Sequence, residues 1–441
     1  MAIPVQQSAR AQSAKARVFM AFEATRGVSP ETAASYYPVR RDSLTIGVAE
    51  TWDADADLQN GRDPTLPTLQ MIDGSFSMAV GIDKRLFGAH VGALLGTPVV
   101  TDAKAYGYLQ FRKEGVESGD TVTINGVGWT FTAGSASGDE TEIQTTVAAT
   151  VAQLATDLNA SADTDIAAAT YVAAGWRLFI EADVTGAAGN AITIAAAEGV
   201  ADVSAATLVG GGLYRHVFKS GADALPSVSF ATEHTDLEEG SHRFPVLYGA
   251  VYNQMSIAVE PTGRATATFS GLAINERERE TAIVGSGAKA LAYERFSQLQ
   301  GGLQVDDECV CGVVQSGTVE YSNGLDTDRT LGCGFDQDAG AITEALPGAA
   351  SASFRAQTRF YSEKLHGQAT ATRDPLKVYW MLFDPVDGSM VKITLNQVTF
   401  PRAAKEHRTG STIGVNLQGL ASGEGVAMLE VEIINDVAEY S

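Results

Sequence analysis

The chain has 441 residues and a mass of 46.2 kDa, more than one ordinary core can use and enough for two or three domains. Hydrophobic residues make up 45% of it, which excludes a disordered chain, and 45 glycines beside abundant Thr, Ser and Ala favour short strands over long helices. With 31 basic against 53 acidic residues the net charge is −22, so a surface that grips phosphate or anionic membrane is excluded as the main role. Cys309, Cys311 and Cys333 make no disulfide framework, and the apolar run Val18–Phe22 is too short for a signal-peptide core. No stretch approaches the ~20 apolar residues of a membrane helix. The expectation is a soluble protein made in a reducing compartment.

Residues 1–40 are small, polar and irregular, with Pro4, Pro30 and Pro38, and read as an extended arm. Ser43–Ala49 is the first strand, followed by an acidic loop carrying Asp53, Asp55 and Asp57 and then a strand over Leu69–Val80. Lys84–Leu95 reads as one short helix, ended by Gly96 and Pro98. From 107 to 212 the composition changes. Thr121–Ile124 and Gly128–Thr132 flank Asn125-Gly126, a strong hairpin signal. Ile143, Val147, Val151, Leu154 and Leu158 make the stripe of an amphipathic helix, and further strands are expected around Val172, Trp176–Ile180 and Ala191–Ala195. The stretch reads as a self-contained β-β-α-β-β module inserted into a host domain. It holds thirteen acids against three bases, a balance of −10, which leaves −12 for the rest.

Host strands resume with His216–Phe218, Ser227–Phe230, Met255–Val259 and Ala265–Phe269, while Asn275–Glu280 alternates charge and reads as a solvated loop or helix start. Ser316–Ser322, an acidic loop with Asp326, Asp328, Asp336 and Asp338, and the strand Ala352–Tyr361 repeat the order of the first domain. Gly263–Ala273 and Gly410–Ala421 run parallel in sequence and both end in Gly-Leu-Ala. The organisation is therefore an arm (1–40), a discontinuous first domain (41–106 and 213–315), the insert (107–212) and a related second domain (316–441).

Few residues suggest chemistry. Gly285-Ser286-Gly287-Ala288-Lys289-Ala290 has the G-x-G-x-x-A spacing of a dinucleotide loop, with a helix expected to run to Gln298 and Asp306 about twenty residues on. No βαβ pattern surrounds it, and a turn into a short packed helix explains it better. Cys309 and Cys311 lack the spacing and the neighbouring His of a zinc site, and His234 and His242 flank acids in what reads as an exposed loop. No catalytic, metal or cofactor site is expected.

Three stretches together resemble the tail tube (major tail) proteins of long, non-contractile-tailed bacteriophages. They are Gly61–Pro67 with Asp73–Phe76, His216–Val228 continuing to Tyr248–Asn253, and Gly317–Leu325. The insert is similar to a module that phage tail proteins often carry, on Asp120–Gly126 and Gly186–Asn190. The resemblance implies a mainly β, barrel-forming sandwich with a flanking helix, stacked as rings into a hollow virion tube after synthesis in the host cytoplasm. It implies self-association, with rings of three chains of pseudo-sixfold symmetry favoured and six chains the alternative. It also implies tape measure, tail terminator and distal tail proteins as partners, no membrane, and genomic double-stranded DNA passing through the lumen unbound during ejection. Six folds of about four strands, at about 4.8 Å and a tilt of about 40°, close at a backbone diameter of roughly 48 Å, ample for a duplex. An acidic lining is expected to repel the phosphates, and the insert to lie outside. Asp53, Asp55, Asp57, Asp326, Asp328, Asp336 and Asp338 are the candidates for contact with a neighbouring ring. The alternatives are another virion component (tail terminator, baseplate or capsid) and, remotely, an NAD-binding enzyme.

Overall fold

The computed structural model of the chain describes residues 16–54, 66–234, 243–306, 308–309, 314–329, 338, 340–359, 374–402, 405–406 and 414–440. Its largest sheet has two arms that share the long strand Phe244–Val259. The first half of that strand pairs with Val228–Glu233 and with Asn275–Arg279, and Val228–Glu233 carries Arg17–Phe22 on its other side. The second half sits inside an eight-strand antiparallel array ordered Arg41–Asp53, Thr68–Gly81, Thr266–Ala273, Phe244–Val259, Val314–Ser322, Ser351–Arg359, Gly414–Leu420 and Lys405–Glu406. Period-2 alternation decides which face is buried: Phe76, Met78 and Val80 point in while Ser75 and Ser77 point out, and Ala267 and Phe269 point in between Thr266, Thr268 and Ser270.

A seven-strand sheet packs across this array, ordered Glu308–Cys309, Gly301–Val305, Leu376–Phe383, Met390–Val398, Leu429–Asn435, Tyr214–Lys219 and Val99–Asp102. The main core lies between the two, with Phe76 and Tyr252 rings 4.8 Å apart, Phe76 and Phe230 4.9 Å apart, and Val378, Trp380, Ile393 and Val431 facing them. Helix α1, Phe87–Leu95, fills one flank and buries all nine residues, as a helix apolar on every side must. It starts later than the expected Lys84. The Asp83 carboxylate accepts the backbone N–H groups of Arg85, Leu86 and Phe87 at 3.1, 2.9 and 2.9 Å, and Gly96 at φ +94° ends the helix.

The insert leaves the host between two paired strands, with Tyr214 opposite Asp102 and the Ala103 N–H donating to the Leu213 carbonyl at 2.8 Å. It has two four-strand sheets and helix α2, Val147–Asn159, whose first turn is capped by the Thr146 hydroxyl. Val151, Leu154 and Leu158 form its buried stripe as expected, whereas Ile143 lies before the helix and packs on the same core from the chain leading into it. Asn125 and Gly126 take φ +50° and +85° in the two-residue turn that Asn-Gly predicts. The insert rests on the outer face of the seven-strand sheet through Tyr106, Tyr108 and Phe179 against Met381, Phe383 and Met390. It is therefore on the side of the sandwich away from the eight-strand array.

This attachment gives an expected result. Replacing Lys104–Val209 by a short glycine linker should leave the host folded, because the chain ends meet at an existing hydrogen bond. Thermal stability should fall, because Met381, Phe383 and Met390 lose their cover, each worth roughly 1.5–3 kcal/mol when fully buried. Near-ultraviolet circular dichroism and a melting curve decide it; a variant with no cooperative transition would show that the module is part of the host core.

Several expectations are corrected. Within the stretch read as an arm, Arg17–Phe22 is a strand with Val18, Phe19, Met20 and Ala21 buried, because both of its faces are covered. Asn275–Arg279 is a strand rather than a loop or helix start; its alternating charges suit an edge that pairs with Phe244–Tyr248 on one side only. The helix expected up to Gln298 does not form. Residues 283–297 run as irregular chain, and only Gln298–Gln300 makes a 3₁₀ turn.

Candidate assembly surfaces

The outward face of the eight-strand array is built from residues that sequence alternation leaves opposite the core. Across the strands it carries Ser43 and Thr45, Ser75 and Ser77, Thr266, Thr268 and Ser270, then Gln254 and Ser256. It continues through Thr318, Glu320 and Ser322 to Ser353, Arg355 and Gln357, and ends on Asn416 and Gln418. The surface is concave, with hollows of about 540 and 380 Å³ over its middle. Among its described residues Glu320 and Arg355 pair at 3.3 Å and Glu260 lines the second hollow, so the face carries few charges. Net charge counts residues without placing them, and strand positions that face the groove are held by hydroxyl and amide side chains.

The array ends in two open edges. Arg41–Asp53 pairs with Thr68–Gly81 on one side, and among the described residues no strand pairs with its other side. Among the described residues Gly414–Leu420 is followed by Lys405 and Glu406. Unpaired strand N–H and C=O groups are a template for another chain, and a thirteen-residue edge is a long one. Beyond the point where Thr266–Ala273 stops pairing at Gly74, the first two strands continue as a two-strand ribbon carrying exposed Trp52, Leu66 and Leu69. Leu66 is 88% exposed, so the ribbon's end is a surface element and not part of the core.

Three of the seven aspartates chosen from sequence are exposed. Asp53 is exposed at the ribbon's end, where its carboxylate accepts the Ala54 N–H at 2.8 Å. Asp326 and Asp328 are exposed in a short strand paired with Glu344–Leu346. Asp338 is used within its own chain, accepting from the Tyr248 hydroxyl at 2.5 Å and from Asn275 at 3.1 Å. Asp55, Asp57 and Asp336 lie outside the described residues. The second acidic loop thus folds partly back: the Arg329 guanidinium donates to the Ile72 carbonyl at 2.8 Å and pairs with Asp73, and the Arg26 guanidinium donates to the Thr343 carbonyl at 2.9 Å.

The remaining motifs carry no site. Gly285 donates its N–H to the buried Glu233 carboxylate at 2.8 Å, and Glu233 also pairs with Arg17 at 2.6 Å. No strand–turn–helix unit that could hold a pyrophosphate surrounds Gly285–Ala290. His234 forms a β-bridge with Arg243; His242, Cys311 and Cys333 lie outside the described residues, as does the Cys309 side chain. Among the described residues no three His, Cys, Asp or Glu side chains cluster to hold a metal, and no helix is long and apolar enough to cross a membrane.

Sequence reasoning missed how alike the two halves of the array are. Ile46 lies opposite Phe76 and Phe76 opposite Gly271; in the second half Val319 lies opposite Phe354 and Phe354 opposite Gly419. Each half has a bulge at the same place, between Arg41 and Ser43 and between Val314 and Ser316. Both glycines are required by close packing. A Cβ on Gly271 would meet the Val251 carbonyl and the Phe76 ring, and one on Gly419 would meet Val398 and Phe400. The matching Gly-Leu-Ala endings were the legible part of this repeat.

The described residues form a mainly antiparallel β-sandwich with open sheet edges and an exposed ribbon. The family described as phage tail tube protein matches residues 13–379, and the chain belongs to that family. No curated protein matches it. The chain is a structural component of a phage tail.

Proposed function

We propose that copies of this chain pair edge to edge into closed rings, that the rings stack into the tail tube, and that the concave face of the eight-strand array lines the bore. The observation that carries this is one continuous sheet holding two equivalent units with an open edge at each end. Three copies then bring twenty-four strands, the number that closes at roughly 48 Å between backbones. Closure also removes the exposed edges, which would otherwise invite aggregation. The ribbon at Trp52 and Leu69 and the loop at Asp326 reach the neighbouring ring, and the −10 insert stands on the outer wall. Genomic DNA passes through to the host, and the tape measure, terminator and distal tail proteins complete the tail.

A bore with few charges works by failing to bind. Phosphate affinity requires Lys or Arg released from other partners, and Arg355 is already engaged by Glu320. Hydroxyl and amide groups hold water without fixing a charge against the duplex. Acids on the outer sheet lie about 10 Å behind this face, roughly one Debye length at 0.1 M salt, so their field in the bore is damped.

Negative-stain microscopy of the purified protein tests the assembly: stacked rings with threefold symmetry support it, and rings that never stack favour a terminator or baseplate role. The lining has its own test. Thr268→Cys in assembled tubes is expected to react with cationic and anionic methanethiosulfonates of equal size at rates within about threefold, whatever the salt. An acidic bore at a potential of several kT would favour the cation by tens of fold or more at low salt.

A further inference from the structure

The equivalence of the two units extends to the seam between them. Inside the chain, the second half of Phe244–Val259 meets Val314–Ser322 antiparallel, with Ala258 opposite Thr318, Ile257 opposite Val319 and Ser256 opposite Glu320. Aligning the repeats by register makes Thr45, Ile46 and Gly47 the counterparts of Thr318, Val319 and Glu320, since Ile46 and Val319 each face the equivalent phenylalanine. The other side of the seam follows in the same way. Ile257 and Ala258 lie opposite Ala267 and Thr266, while Lys405 and Glu406 lie opposite Val415 and Gly414, which occupy the Ala267 and Thr266 positions of the second unit. Among the described residues each chain therefore holds one completed seam and the two halves of another. Those halves are the outer side of Arg41–Asp53 and the short strand Lys405–Glu406.

We propose that a second copy of this chain docks here in the register of the internal seam, with Lys405 of one chain opposite Ile46 of the next and Glu406 opposite Thr45. The occupant is a second copy because the surface it must match is one the chain already pairs with internally. A foreign strand would have no reason to share the bulge beside Ser43, which bends this edge as the one beside Ser316 bends its counterpart. The proposal rests on the tube reading above and adds to it the residue pairs of the contact.

The test is disulfide trapping in assembled protein. Thr45→Cys combined with Glu406→Cys in one chain is expected to give covalent oligomers under mild oxidation, with the trimer as the largest species on a non-reducing gel. Peptide mass spectrometry identifies the 45–406 link apart from the native cysteines. The link cannot form within one chain, because the two positions lie at opposite ends of eight strands, about 34 Å apart at ordinary strand spacing. Ser43→Cys with Glu406→Cys, displaced by two residues, should link at least tenfold more slowly. Tubes that form without a 45–406 link, or that link faster through position 43, overturn the register and leave the tube reading standing. Protein that yields no rings by microscopy overturns that reading instead.

Discussion

Replacing Lys84 by Met should destabilise the protein by about 2–4 kcal/mol. That is below the full cost of breaking a buried pair, because Glu294 and Asp387 are 50% and 38% exposed. The Lys84 ammonium is 10% exposed and lies 2.7 Å from Asp387, 2.8 Å from Asp384 and 3.1 Å from Glu294. Burial alone would push it toward the neutral form, but the three carboxylates hold its pKa above the ordinary lysine value. The cluster joins three parts of the fold. Lys84 stands just before helix α1, Glu294 lies on the irregular chain leading to Gln298, and Asp384 and Asp387 lie in the turn between Leu376–Phe383 and Met390–Val398. Methionine fills the stem's volume but leaves the acids facing one another without a cation. Urea unfolding at neutral pH measures the loss, and adding Asp384→Asn and Asp387→Asn to Lys84→Met should recover most of it, because the repulsion is then gone. A midpoint unchanged in Lys84→Met would mean that water satisfies these carboxylates.

The second large effect is in the pH dependence, where two buried groups oppose each other. His90 on helix α1 is sealed in the core, its Nδ1 2.8 Å from the Tyr252 hydroxyl and its ring stacked 5.5 Å from Phe269. Burial lowers its pKa from 6.5 to about 4. Between those values the unfolded chain binds a proton that the folded one refuses, so this contribution to stability is present above about 6.5 and lost as pH falls toward 4. Asp83, at the start of the same helix, is pushed by burial from 3.8 up to about 6, against the pull of the backbone N–H groups it accepts. Its contribution is fully present below about 4 and lost as pH rises through 6. Each spans about two pKa units, or roughly 3 kcal/mol, and the signs are opposite. The wild type should therefore change little in stability between pH 4 and 6.5. Asp83→Asn keeps a capping oxygen but removes one titration, and should lose roughly 3 kcal/mol on acidification over that window. Melting curves at half-unit steps of pH decide it; a flat Asp83→Asn profile would show that His90 takes up its proton without disturbing the core.

Much of the architecture was legible wherever one local cause decided the outcome. Alternation of Phe76, Met78 and Val80 with Ser75 and Ser77 names a strand and its buried face together, because only a pleat separates odd from even positions. Asn125-Gly126 names its turn because those residues tolerate positive φ, and the stripe Val151, Leu154 and Leu158 names a helix by its period. What could not be read were outcomes set by what lies alongside. Asn275–Arg279 became a strand because Phe244–Tyr248 offered it an edge, and the glycine-rich stretch after Val284 stayed irregular because Tyr36 and Glu233 take its N–H groups. Asp338 looked like a free acid until the fold brought Tyr248 and Asn275 to it.

By itself the sequence determined that this protein is mainly β, since alternation and turn chemistry act over a few residues each. The tertiary structure alone decided where the charge lies and which edges stay open. Those depend on pairings between residues about two hundred positions apart, such as Arg17 with Glu233 and Tyr214 with Asn435. A total of −22 says how many acids there are; only the folding of eight strands into one sheet decided that Glu320 faces Arg355 across it.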